Sequence, residues 1–186
     1  MSSMSQVSVN GERRGMIEKY SEQPGFIPIS SIPWDSSWPE LAGEDDRHHL
    51  FSYMERRFGI SENVFDGYLL FKRQRSWWLL KNSPFLQSAS RLKVAGVGLR
   101  AFQRIGKFVK PSTRMIHMFG SLATKARVEI DEVQLQKLVS GEPLHIELEI
   151  EDGYVILLFA GHILGLGLFI EGKILSQIPR NELHFS

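Results

Sequence analysis

The chain has no cysteine among its 186 residues. That excludes a disulfide framework, a thiolate nucleophile and a zinc site with sulfur ligands, and it suits a reducing cytoplasm. A membrane-length apolar run is also missing. The longest candidate, Val155 to Ile170, is apolar or glycine apart from His162, and it is bounded by Asp152 and Glu171. A spanning helix needs about 20 apolar residues and tolerates several glycines and a central histidine poorly. The opening residues, MSSMSQVSVNGERRGMIEKY, hold no apolar core of the signal-peptide kind. The expectation is a cytoplasmic protein without membrane association.

A further absence is of one sign of charge. Between Gly67 and Val128 there is no Asp or Glu. The same segment holds thirteen of the 22 basic residues: Lys72, Arg73, Arg75, Lys81, Arg91, Lys93, Arg100, Arg104, Lys107, Lys110, Arg114, Lys125 and Arg127. All 21 acids lie elsewhere, so a formal net charge of +1 conceals a basic middle and an acidic remainder. Solvated surfaces ordinarily mix both signs, because neighbouring like charges repel. A stretch that keeps one sign points to a polyanionic partner. The rival is a protein-interaction subunit, whose basic face meets an acidic protein or the acidic part of a second copy in a homodimer.

What is present is the composition of a folded globule, 42% hydrophobic and 11% aromatic. Residues 1–43 are rich in Ser, Pro and Gly; 1–25 read as a tail and 26–42 as an extended segment docking through Trp34 and Trp38. EDDRHHLFSYMERRFGI then predicts a helix: Leu50, Phe51, Met54 and Phe58 fall at helical spacing, acids lead, Arg56 and Arg57 close, and Gly59 stops it. GYLLFKRQRSWWLLKN predicts strands YLLF and SWWLL around a KRQR turn, and SPFLQSAS a helical turn. Residues 44–91 thus form a small α/β domain.

From Leu92 the pattern changes. LKVAGVGLRAFQRIGKF reads as glycine-broken, curved strands. Pro111 opens a helix with Met115, Met118, Phe119 and Leu122 on one face. ARVEI is a strand, and DEVQLQKLVSG a helix with Asp131 as N-cap, Val133, Leu135, Leu138 and Val139 as its apolar residues and Gly141 as C-cap. HIELEI alternates apolar and charged residues. YVILLF and HILGLGLFI are strands joined at Ala160-Gly161, with a further reversal at Glu171-Gly172. Gly165 and Gly167 lie on one strand face, where small residues allow close packing or bending.

This order of parts resembles a PUA-like domain, a small β-barrel RNA-binding module. More closely it resembles the C-terminal module of Sun-type RNA cytosine-5 methyltransferases. The residues that carry the likeness are Gly153-Tyr154, Leu164-Gly165-Leu166-Gly167, Gly172-Lys173, Ile178-Pro179-Arg180 and the bend Gly106-Lys107-Phe108-Val109-Lys110-Pro111-Ser112. The resemblance covers 92–186 and implies an α+β chain ending in a PUA-like mixed β-barrel with short helices. It implies RNA binding but not methylation, since that family's chemistry needs a cysteine nucleophile and a cofactor-binding sheet. The expectation is therefore a non-enzyme without cofactor or metal.

Candidate chemistry is sparse. The triplets at 96–98 and 165–167 are fragments of a dinucleotide fingerprint, lacking its third glycine and following helix. His48 and His49 are adjacent on a helix and diverge by about 100°. The basic stretch is richer. Lys72, Arg73 and Arg75 crowd one turn. Beside them Trp77 and Trp78 point to opposite faces, so one can face the core while the other stacks on an unpaired base or packs on the N-terminal segment; Trp77 is the candidate. Arg100, Arg104, Lys107, Lys110 and Arg114 surround a loop and a helix start suited to phosphate. Lys125 and Arg127 follow on the next strand, and the resemblance adds Lys173 and Arg180. The expected partner is structured RNA, ribosomal or transfer, in RNA modification or ribosome biogenesis. A separately encoded RNA methyltransferase is a further possible partner.

Overall fold

A computed structural model describes residues 32–106 and 108–179. The expected tail, Lys107 and Arg180 lie outside the described residues. The chain divides into two units, one of 1–38 with 84–93 and a larger one of 39–83 with 94–186.

In the smaller unit, Trp34 and Trp38 meet with ring centroids 4.8 Å apart. Trp38 Nε1 donates to the Leu92 carbonyl at 3.0 Å, and Asp35 N to the Ser90 carbonyl at 2.7 Å. Ser90, fully buried, donates its hydroxyl to the carbonyls of Gln87 and Pro33. The tryptophan segment is thus tied to the short helix α2 (Leu86–Ala89) and the residues after it.

The larger unit is α+β, with two curled sheets. The first sheet has the order β1-β2-β3-β4-β5: Glu40–Leu41, Tyr68–Arg73, Ser76–Lys81, Leu99–Ile105 and Phe108–Pro111, all antiparallel. It therefore continues across residue 92. Helix α1 (Glu44–Phe58) buries Leu50, Phe51, Met54 and Phe58, as the spacing predicts. Gly59 closes it with φ 67°, a left-handed turn that glycine adopts without a Cβ penalty. Phe51 stacks on Phe65 at 4.4 Å, and Phe65 meets Phe119 edge-on at 5.1 Å. One apolar core joins α1, the first sheet and the second.

The second sheet has the order β6-β8-β9-β10-β7: Arg127–Ile130, Gly153–Phe159, His162–Ile170, Lys173–Ser176 and Leu144–His145. β6 and β8 are parallel, joined through α4 (Glu132–Ser140), whose capping box pairs Asp131 with Gln134. The hairpins β8–β9 and β9–β10 turn where expected. Gly165 and Gly167 are buried, and only glycine fits there, because a Cβ would press on Ile178 at 2.9 Å and Ile174 at 2.5 Å.

Several details differ from the sequence reading. Pro111 ends β5, and Ser112 caps the helix α3 (Thr113–Phe119) by accepting from Met115 N. α3 buries Met115, Ile116 and Phe119, whereas Met118 and Leu122 are exposed, because Leu122 sits in a 3-10 turn that changes the helical phase. In α4 only Leu135 and Leu138 are buried; Val133 and Val139 face solvent. Of HIELEI, only His145 belongs to a strand, since β10 pairs with β7 at two rungs alone.

Candidate nucleic-acid interface

Lys72 and Arg73 do not belong to a four-residue turn. β2 runs on through Arg73, and Gln74, at φ 54°, makes the reversal with Arg75. The strands pair Lys72 with Trp77 and Arg73 with Ser76, so alternation sends the two tryptophans to opposite faces.

Trp77 faces the core and is 1% exposed. It cannot stack on a base, contrary to the sequence expectation. Packing decides it: Trp77 lies in register with Leu70's face of β2 and with Phe102 of β4, both core residues. Lys72 Nζ lies 5.6 Å from its ring centroid and Arg104 Cζ 5.5 Å. Its indole N–H is buried without a hydrogen-bond partner among the described residues. Lys72 also pairs with Asp46 at 2.7 Å. These two cations serve as a lid over a buried ring.

The opposite face has another character. One rung crosses four strands as Arg73, Ser76, Gln103 and Lys110. Neighbouring strands lie about 4.8 Å apart, so this polar line spans about 14 Å. Two rungs inward, on the same face, are Phe71, Trp78 and Arg100, the last displaced by the bulge between Trp77 and Trp78. Arg100 donates to Ser76 Oγ at 2.9 Å, which fixes it on this face. Two rungs outward, Ile105 and Phe108 are directly opposite, 46% and 63% exposed. Trp78 is half-buried. No carboxylate occupies these three rungs.

The two hairpin tips share this end of the sheet, because Arg104 N donates to the Arg75 carbonyl at 2.7 Å. Lys72, Arg73, Arg75 and Arg104 therefore share this end of the sheet, Lys72 and Arg104 on the Trp77 face and Arg73 on the other, where Arg100 lies two rungs further in. Lys110 is only partly available: its ammonium donates to Gln177 Oε1 at 2.8 Å and lies 5.8 Å from the Tyr154 ring centre. Burial lowers its pKa from the ordinary lysine value. α3 begins beside the site, since Ser112 Oγ donates to the Arg100 carbonyl at 2.6 Å, and Arg114 is exposed on its first turn.

The remaining expected cations stand apart. Lys81 pairs with Tyr68 at the far end of the hairpin, five rungs from Arg73. Lys125 and Arg127 lie beside the end of α1, where Lys125 N donates to the Phe58 carbonyl and Arg127 donates to Ala123. Lys173 opens β10, paired with Ile170 and His145. Arg91 and Lys93 belong to the smaller unit. The described members of the basic stretch do not form a single wall, because pairing carries them to different ends and faces of the sheets and to the smaller unit. Phe108 and Ile105 were missed as surface residues. The signal available was their position beside Gly106, at a hairpin tip where polar residues are usual.

No family model matches the chain. Among solved structures it is similar to a hypothetical protein of Pyrococcus horikoshii OT3, 13% identical with a TM-score of 0.44, covering 77% of this chain and 84% of that one. Among curated proteins it is similar to the ribosomal RNA small subunit methyltransferase F of Psychromonas ingrahamii, 25% identical over 136 residues, 70% of this chain and 27% of the relative. The same protein of Aeromonas salmonicida is 25% identical over 156 residues, 84% of this chain and 30% of the relative. The chain spans about 30% of the length of the curated relatives it matches, and its likeness to them is distant.

Proposed function

We propose that this chain is a non-catalytic RNA-binding protein that holds structured ribosomal or transfer RNA in RNA modification or ribosome biogenesis. The observation that carries this reading is the exposed part of the first sheet's face opposite Trp77. Arg73, Arg100 and Gln103 are exposed there, beside Ile105 and Phe108, without a carboxylate in the same rungs, while Ser76 and Phe71 on that face are buried. Cations on such a surface attract phosphates, which fix position, while neutral hydrogen-bonding groups and rings meet bases. The distant similarity to ribosomal RNA methyltransferases supports ribosomal RNA as the partner class. The curled second sheet, with its parallel β6–β8 pair, is compatible with a PUA-like barrel.

A binding role rather than catalysis is favoured by the absence of cysteine, which leaves no thiolate for the chemistry of Sun-type enzymes. A filter-binding titration of the whole chain with ribosomal RNA tests it. Each phosphate contact releases counterions, at a slope of about −0.7 to −0.9 per contact, so contacts from Arg73, Arg75 and Arg100 predict a slope of about −2 to −3. Affinity unchanged between about 50 and 200 mM salt excludes this mechanism. Sizing chromatography separates the rival: a salt-sensitive dimer indifferent to added RNA favours the protein-interaction subunit.

A further inference from the structure

We propose that β6 is an interface for a second copy of this chain: its outer edge pairs antiparallel with the same edge of the other copy, across a two-fold axis at Val128.

This edge is open. β6 (Arg127–Ile130) ends the second sheet, with β8 on one side and no strand on the other. Ile156 N donates to the Ala126 carbonyl at 2.8 Å, and Arg127 is in register with Ile156. In a parallel ladder of that phase Ala126, Val128 and Ile130 bond to β8, so the N–H and C=O groups of Arg127 and Glu129 turn outward. Neither residue's backbone has another partner among the described residues. Unpaired edges invite pairing with another chain, and proteins blunt them with short strands or proline. The other terminal strands are blunted in this way. β1 and β7 have two residues each, and β5 ends in Pro111, which has no N–H to donate. β6 has four residues, Arg-Val-Glu-Ile, and neither device.

Charge selects the occupant. Val128 and Ile130 are buried, while Arg127 and Glu129 are exposed on the other face. An axis at Val128 sets Arg127 of each copy opposite Glu129 of the other. Both are residues whose backbone groups point outward, so each facing pair can exchange two N–H···O bonds. The side chains of a pair then lie on one face, with Cα atoms about 5.5 Å apart, and carry opposite charges. Centring the axis on Arg127 or on Glu129 instead opposes like charges. It also calls on the N–H of Lys125 or of Asp131, which already bond to the Phe58 carbonyl and to Gln134 Oε1. The strand is therefore complementary to itself in one register.

Both side chains keep capacity for this contact. Arg127 uses one nitrogen, towards the Ala123 carbonyl at 3.3 Å, and Glu129 uses one oxygen, accepting from Gly161 N at 2.9 Å. A guanidinium has further donors and a carboxylate a second oxygen. Apolar side chains flank the strand as well. Leu122, 50% exposed, precedes β6, and Val133, 65% exposed, follows it. The two-fold axis brings the entry of one strand beside the exit of the other, so these side chains lie at the two ends of the seam. A seam this short is smaller than a permanent dimer interface, and the association is weak and reversible.

Sedimentation equilibrium of the whole chain tests the pairing, with Arg127→Glu and Glu129→Arg made singly. The parent is expected to self-associate. Each single variant opposes like charges at both pairs and should associate about 5- to 30-fold more weakly. An equimolar mixture of the two restores opposite charges at both pairs and should regain the parent's association as a heterodimer. Since the chain has no cysteine, Arg127→Cys mixed with Glu129→Cys reads the register without a charge reversal. Diamide, oxidising the two thiols, should join the two different variants by a disulfide several-fold more than it joins either to itself. The triple change of Arg73, Arg75 and Arg100 to Ala should leave association intact. A parent that stays monomeric up to about 1 mM overturns the proposal. So does association that neither folded charge variant weakens, or that the mixture does not restore. Association lost with the three arginines overturns it too and assigns the contact to the basic face. Where a charge variant does not fold, the cysteine mixture decides, and no preference for the mixed disulfide overturns the register. RNA binding is read separately by its salt slope, so failure of the pairing leaves that reading standing.

Discussion

Trp77 and Trp78 are neighbours with opposite environments, which sequence alternation predicts without saying which way round. The structure buries Trp77, with an indole N–H that has no hydrogen-bond partner among the described residues. Leaving a buried donor unpaired costs about 1–3 kcal/mol, so removing it offsets part of the lost volume. Trp77→Phe should therefore destabilise far less than Trp77→Ala, which empties a core site at about 3–5 kcal/mol; urea unfolding compares them. Tyr53 supplies a pH dependence. Burial pushes its phenol up to about 12 from 10.0, although Arg57 nearby opposes the shift. The unfolded phenol ionises first as pH rises. Its contribution is thus intact below about pH 10 and is lost as pH climbs towards 12, by at most about 3 kcal/mol. Tyr53→Phe should flatten this alkaline loss, read by unfolding at about pH 8 and about pH 11.

At the scale of elements, short-range signals located most boundaries. The stop of α1 at Gly59 and the caps Asp131 and Gly141 of α4 are local hydrogen-bonding and φ requirements, so they are legible in a few residues. Pairing is not local, which is why HIELEI alternates like a strand yet pairs only at its first residue. Two glycines separate conformational from packing demands. Gly98, at φ 55°, would press a Cβ against the Leu79 carbonyl, whereas Gly106, at φ 60°, faces open space. Gly106→Ala should cost about 1 kcal/mol for the left-handed backbone alone. Gly98→Ala should cost clearly more, because a backbone carbonyl cannot step aside. Comparing their thermal midpoints checks the difference.

At the scale of the whole chain, charge segregation was plain in the sequence, but its consequence was not. A segment without acids need not be one surface: the pairing of Tyr68 with Lys81 and of Arg73 with Ser76 puts cations at both ends of a single hairpin. Arg73 and Arg100 share one face near one end with Arg75 at the turn, and Lys81, Lys125 and Lys173 lie elsewhere. The triple change of Arg73, Arg75 and Arg100 to Ala should therefore make the salt slope of RNA binding shallower by about two to three units. A triple change of Lys81, Lys125 and Lys173 removes as much charge and should alter the slope far less. Equal effects would mean diffuse attraction without a site.

By itself the sequence determined the helices and tight turns, the strand-forming glycine-rich stretch, and the asymmetry of charge, because these depend on neighbours within a few residues. Only the tertiary structure decided which tryptophan is buried, which cations share a face, and that Ile105 and Phe108 are left on it. Those outcomes depend on register between strands far apart in the chain, where a shift of one residue turns every side chain to the other face.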